Sequence, residues 1–218
     1  MVIGWLRMLQ KASLSDQYRH MLDEATKSCV RLNAVVEELS EFGKIDDGRL
    51  KFKREPTDAF YLVAEVADLV QDVDDRGVRL EVRGTATGAT LPGDEALLRK
   101  AFDAIFRASL REKPRDSTVV AERRIEQTGA SRSAIVIVAE EASVQAAYDR
   151  GPGPFNERRG GVGLGLPLAR RVIEGHGGRL WAPIPAAGTP EPVDGGHSAD
   201  PLTRGSAIIS LPITELSR

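Results

Sequence analysis

The chain has 218 residues, enough to bury one full core with a smaller element attached, so one or two domains are expected. Its 30 basic and 32 acidic residues leave a net charge of -2, which excludes the basic excess that draws a protein to nucleic acid or an anionic membrane surface. The single cysteine, Cys29, excludes an intrachain disulfide and a thiolate zinc site, and its apolar neighbours read as core packing.

The apolar run MVIGWLRML is too short to span a bilayer, contains Arg7 and has no small-residue cleavage site. No membrane segment is expected, and the cytoplasm is the expected location. Residues 2 to 11 carry Val2, Ile3, Trp5, Leu6 and Leu9 on a broad apolar face, and the polar break Ser13 to Asp16 offers a turn and a helix cap. Residues 16 to 43 then read as a long helix, because Tyr18, Leu22, Ala25, Cys29, Leu32, Val36 and Leu39 recur at alternating spacings of four and three, a heptad seam. The two helices predict an antiparallel hairpin over residues 1 to 48. A hairpin this narrow leaves apolar surface on both arms, and a second copy covers it as a four-helix bundle, so a homodimer is expected. Gly43 and Asp46-Asp47-Gly48 are expected to end the helix and mark the domain boundary.

Residues 49 to 218 form the second predicted domain. RLKFKRE (49 to 55) alternates like a strand, and Pro56-Thr57-Asp58 opens an apolar-periodic helix to about Val73. VRLEVRG reads as a strand after the Asp75-Arg76-Gly77 turn, and ATLPGDE leads to a helix at about 95 to 111. STVVAERRIEQ and SAIVIVAEE form a strand pair joined through Thr128-Gly129-Ala130-Ser131, and SAIISLPI is the last strand, after a proline-rich loop. Interleaved strands and helices predict an α+β fold, a two-layer α/β sandwich with one sheet under a layer of helices.

The most informative stretch is GGVGLGLPLARRVIEGHGGRLWA, residues 160 to 182. Gly161, Gly163 and Gly165 alternate with Val162 and Leu164, and Leu166 follows at the start of a helix. Glycine lets a backbone approach a ligand, and the free amides at a helix start favour an anion. The helix closes on Gly175-His176-Gly177-Gly178 and passes into the strand-like RLWA. That order resembles the last glycine box of the sensor histidine kinase ATP-binding domain, whose fold is shared with type II topoisomerases. The hairpin, the link LSEFGKIDDGRLKFKREPTD and the sandwich extend the resemblance to almost the whole chain, as a histidine kinase transmitter core. Gly161, Gly163, Leu164, Gly165 and Leu166 become nucleotide-binding candidates on that resemblance.

The resemblance also shows where the chain departs from its pattern. The position matching the phosphate-accepting histidine would fall before Met1. Among the three histidines, His20 reads as solvated, His176 as structural and His197 as part of the proline-rich loop. The family's two magnesium-box asparagines match Ala104 and Ala108, spaced to share a helix face, and a methyl group cannot ligate a hard cation. The polar or acidic residue one turn earlier matches Lys100, while Arg111 stands where the family often has a base able to meet a phosphate. The adenine-binding aspartate box has no glycine after SAIVIVA, where Glu140-Glu141-Ala142-Ser143-Val144 stands. A literal match, Asp149-Arg150-Gly151-Pro152-Gly153, lies only 14 residues before Gly163 and is expected to belong to a shortened lid anchored by Phe155. Glu140 and Asp149 both remain candidates for the base-facing position.

Together these residues imply a degenerate signalling module: no catalytic residue, weak ATP or ADP binding and no seat for magnesium. It would act by dimerising and by binding a response regulator or a sensor kinase, with no nucleic acid partner. Two alternatives are an active kinase core with an acceptor histidine upstream, and a nucleotide sensor without turnover.

Overall fold

The computed structural model describes residues 6, 8, 9, 15–46, 51–71, 76–158, 164–189 and 198–213. The chain divides into two compact units, residues 1–50 and 51–218. In the first unit a long helix, α1 (Asp16–Asp46), runs on past Gly43 and is described to Asp46, one of the residues expected to end it. A glycine inside a helix costs about 1 kcal/mol relative to alanine, too little to end a helix of this length. Of residues 2 to 11 only Leu6, Met8 and Leu9 are described, all three helical, and the rest of the first arm of the expected hairpin lies outside the described residues. On α1, Leu22 is buried and Cys29 half-buried, while Tyr18, Ala25, Leu32, Val36 and Leu39 of the seam are exposed.

The second unit begins with β1 (Glu55–Asp58), followed by α2 (Ala59–Gln71), β2 (Arg79–Gly84) and β3 (Thr90–Gly93). The strand expected at 49 to 55 is displaced to 55 to 58, because its antiparallel partner β3 sets the register, Thr57 opposite Leu91. Pro56 faces Pro92, a place in the ladder where neither residue has an N–H to donate. Residues 51–54 are held by other bonds: the Lys53 amide donates to Asp94 Oδ2 (3.1 Å) and Arg54 donates to the Gly175 carbonyl (3.1 Å).

After β3 come α3 (Glu95–Arg111), β4 (Thr118–Thr128), β5 (Ser131–Glu140), a single 3-10 turn (Glu141–Ser143), α4 (Val144–Asp149), β6 (Pro152–Gly153), α5 (Gly165–Gly175), β7 (Arg179–Pro183) and β8 (Ala207–Ile213). Asp94 caps α3, its carboxylate accepting from the Leu97 amide. Six strands form one sheet in the order β2-β4-β5-β8-β7-β6. β2 lies parallel to β4 and every other neighbouring pair is antiparallel.

Strand alternation sorts the sheet into two apolar faces. Ala121, Val136, Val138, Ala207, Ile209 and Leu211 point one way. On that side Arg123 donates to the Phe60 carbonyl of α2, and Leu211 and Ile173 of α5 close around Gly178. α3 lies in this layer, packed against both α2 and α5, with Phe102, Ile105 and Phe106 fully buried. The opposite face departs from the expected single helical layer. Val120, Ile135, Ile137, Ala139 and Ile208 form a second cluster there with Val144 and Ala147 of α4, and Tyr148 and Trp181 pack at its margin. The segment after β5 therefore crosses behind the sheet to β6, and only then turns forward into α5.

Candidate functional site

The candidate site lies where α3 packs against the start of α5. The 3.6-residue period puts Lys100, Ala104, Ala108 and Arg111 along one side of α3, the reverse side from Phe102. A Cβ added at Gly165 would stand 3.4 Å from the Ala104 methyl, so the first residue of α5 rests directly on that side. The structure thus brings Ala104 together with Gly165, and Leu166 is buried beneath them. Gly161 and Gly163 lie outside the described residues.

Ala104 is half-buried and Ala108 is 0% exposed. The adjacent carboxylate, Asp103, is engaged by Arg107, whose Nε lies 2.9 Å from each of its oxygens. Among the described residues no group of three or more His, Cys, Asp or Glu side chains is placed to hold a metal. Ala104 and Ala108 themselves offer no oxygen to a hard cation. Lys100 and Arg111 are exposed at the two ends of this face. Burial of its stem, then the like charge of Arg107, push the Arg111 guanidinium below its ordinary value.

The lid candidates separate. Phe155 is buried, with the Arg170 guanidinium over its ring and an Arg170 N–H donating to its carbonyl (3.2 Å). Arg170 also meets Glu157 at 2.7 Å, so the residues after β6 are tied to α5. Asp149 ends α4 on the back of the sheet, exposed, accepting from Gln145 (2.7 Å). It is not brought together with Ala104 or Gly165. The literal Asp-x-Gly-x-Gly match is split between α4 and β6, and Arg150 within it pairs with the buried Asp200 of the proline-rich loop.

Glu140 stands elsewhere, at the end of β5 beside the last turn of α3. There it meets the ammonium of Lys113 at 3.5 Å. The Lys113 side chain is 1% exposed. Burial holds its pKa down and the neighbouring Glu140 opposes that shift. Glu112 accepts from the Gly205 amide (2.8 Å), tying the loop before β8 to α3. Sequence reasoning missed Lys113, since nothing in the spacing of residues 113 and 140 announces their pairing.

His176 is 3% exposed and holds three elements together. Its Nε2 accepts from the Asp94 amide (2.9 Å), so its Nδ1 carries the proton and donates to the Val172 carbonyl (2.7 Å). Phe52 packs edge-on against the ring. Burial lowers the imidazole's pKa, the Val172 carbonyl resists, and Arg54 and Asp94 act in opposite senses. A lowered folded pKa means the unfolded chain binds the proton first. Stability is full above the ordinary histidine value, about 6.5, and is lost as pH falls toward the depressed folded one. Between pH 7 and 5.5 the unfolding free energy is expected to fall in urea melts. A His176→Gln variant with the same pH slope would rule this histidine out as the source.

No family model matches the chain. It is 26% identical over 181 residues to the sensor protein IrlS of Burkholderia pseudomallei, covering 78% of this chain and 37% of IrlS. It is 22% identical over 192 residues to the sensor protein GacS of Pseudomonas syringae pv. syringae, covering 82% of this chain and 21% of GacS. The chain thus spans well under half the length of these curated relatives. Among solved structures, full-length ShkA, crystallised with AMPPNP, superposes with a TM-score of 0.69 at 17% identity, over 100% of this chain and 43% of ShkA. That likeness establishes the fold. No helix among the described residues is long and apolar enough to cross a membrane.

Proposed function

We infer that this chain, a histidine kinase transmitter-type domain, serves two-component signalling as a regulator without phosphoryl-transfer activity of its own. Its similarity to sensor proteins supports the signalling role. The absence of catalysis is carried by one observation: the two positions that would supply magnesium with oxygen are Ala104 and Ala108, and the neighbouring Asp103 is held by Arg107. Phosphoryl transfer depends on neutralising and aligning the triphosphate, and methyl groups do neither. Glu140, not Asp149, takes the position facing the base, since Asp149 sits behind the sheet.

The domain then acts through its surfaces. The exposed seam residues Tyr18, Leu32, Val36 and Leu39 on α1 are covered by a second copy, and the resulting bundle binds a response regulator or a sensor kinase. A second reading, a nucleotide sensor without turnover, is favoured by the start of α5 against α3 and by the exposed Arg111. One preparation tests both. Calorimetric titration with ATP and ADP, with and without magnesium, is expected to show no magnesium-dependent affinity, and the same sample is expected to hydrolyse no ATP and to sediment as a dimer. Magnesium-dependent hydrolysis sinks the non-catalytic reading. Equal, saturable affinity with and without the metal selects the sensor.

A further inference from the structure

The outer strand β2 leaves part of its backbone open in a pattern complementary to itself. β2 lies at one end of the six-stranded sheet and pairs with β4 alone. The Arg79 and Thr85 amides donate to the Ser117 and Arg123 carbonyls (both 2.9 Å), so the odd-numbered residues of this parallel ladder turn their backbone groups inward and Leu80, Val82 and Gly84 turn theirs out. The start of that edge is already closed. The Gln71 carboxamide donates to the Val78 carbonyl (3.3 Å) and accepts from the Leu80 amide, the two bonds a neighbouring parallel strand would make. Among the described residues no such group reaches the Val82 N–H or carbonyl. The strand ends at Gly84, whose φ is 82°. What stays open is the Leu80 carbonyl, both polar groups of Val82 and the Gly84 amide. Beside them, on one face of the strand, stand Glu81 and Arg83, each 44% exposed, with Arg83 held by Glu81 (2.6 Å) and by Glu141 (2.5 Å).

We propose that this edge pairs antiparallel with the β2 strand of a second copy of the chain, Val82 opposite Val82 across a two-fold axis. In that register the two valines exchange N–H···O bonds, and each Gly84 amide donates to the Leu80 carbonyl of the other copy. Each Glu81 then faces the Arg83 of the other copy at the separation of directly opposed side chains, about 5 Å between Cβ atoms. Sliding the strands by two residues sets Arg83 against Arg83 in one direction and Glu81 against Glu81 in the other, so the charges select a single register. Charged side chains on an outer strand ordinarily repel a neighbour. Here their order makes a second copy the partner, because a strand without that order gains the backbone bonds and not the ion pairs. The contact is short, so it joins chains at high concentration. It is separate from the seam on α1, and with both surfaces engaged two different two-fold contacts meet on one chain and the assembly grows past a dimer.

Sedimentation of the full chain from the micromolar toward the millimolar range tests this, with thermal melts to check folding. The weight-average mass is expected to rise roughly twofold or more above its dilute value. Glu81→Arg and Arg83→Glu each bring like charges face to face and should hold the mass at the dilute value. An equimolar mixture of the two variants is matched at both ion pairs and should recover the rise. Val82→Pro removes the central N–H, at a place where an outer strand tolerates proline, and should also abolish the rise. If that variant does not fold, the two charge variants, altered at half-exposed side chains, carry the test. A parent of constant mass, single charge variants that associate as the parent does, or a mixture that stays dilute-like overturns the proposal. The mass at low concentration reports on the α1 seam and the concentration-dependent step reports on β2, so the two contacts fail separately.

Discussion

Replacing Ala108 with asparagine is expected to lower the unfolding free energy by about 2–4 kcal/mol while conferring no magnesium-dependent nucleotide binding. The position is 0% exposed, and α3 is pressed between α2 and α5. An amide there adds volume to a filled space and brings donors and acceptors with no partner. The weaker helix propensity of asparagine adds a further few tenths of a kcal/mol. Ala104 is half-buried, so asparagine at that position should cost less than about 1 kcal/mol. Urea unfolding of the two single variants, followed by calorimetry with Mg-ATP, checks both halves. An Ala108→Asn protein as stable as the parent that also gains Mg-ATP affinity would show that the alanines are the only lesion. The physical content of the expectation is that the core has closed over the lost ligand.

Gly178→Ala should cost about 3 kcal/mol or more, the larger effect of two neighbouring glycines that look alike in sequence. A Cβ at 178 would lie 2.3 Å from the Ser210 carbonyl oxygen, with Leu211 at 2.9 Å and Ile173 at 3.0 Å. Ser210 pairs with Arg179 in the β7 and β8 ladder, so relief would need the two strands to part. At Gly175 the obstacle at 2.4 Å is the tip of the Phe52 ring, half-buried on the segment before β1. A ring at the end of a side chain can turn away, so Gly175→Ala should cost about 1 kcal/mol. Thermal melts of the pair give the comparison, and equal losses would mean that backbone contact at Ser210 is not what makes Gly178 obligatory.

Much of the second unit was legible because its elements are long and their burial periodic. α3 could be read from Leu97, Leu98, Ala101, Phe102, Ile105 and Phe106 behind the Asp94 cap, and the β4 and β5 pair from its alternation around Gly129 and Ala130. The short elements were not legible. The helix α4 has six residues, and it exists because Val144 and Ala147 find an apolar patch behind the sheet, a patch contributed by strands far away in sequence. β1 was placed a few residues early because alternation at Leu50 and Phe52 suggests a strand, whereas β3 pairs only with Glu55–Asp58. At the site, Ala104 and Ala108 were picked out by the resemblance, and their spacing of four puts them on one helix face. The match at Asp149 was expected to belong to a lid, and a pattern of residue types does not record which side of a sheet it occupies. Glu140 was a candidate from its place after a strand, but its bond to Lys113 is purely tertiary.

The crossing of the chain behind the sheet also governs solubility. Val120, Ile137, Ala139 and Ile208 are 0% exposed although no α2, α3 or α5 side chain can reach their face. Strip away α4 and these residues, with Ile135 and Trp181, become a continuous oily patch of the kind through which monomers clump. The stretch between β5 and β6 is a fitted backing plate, and trimming it as an idle connector would lay that patch open to aggregation.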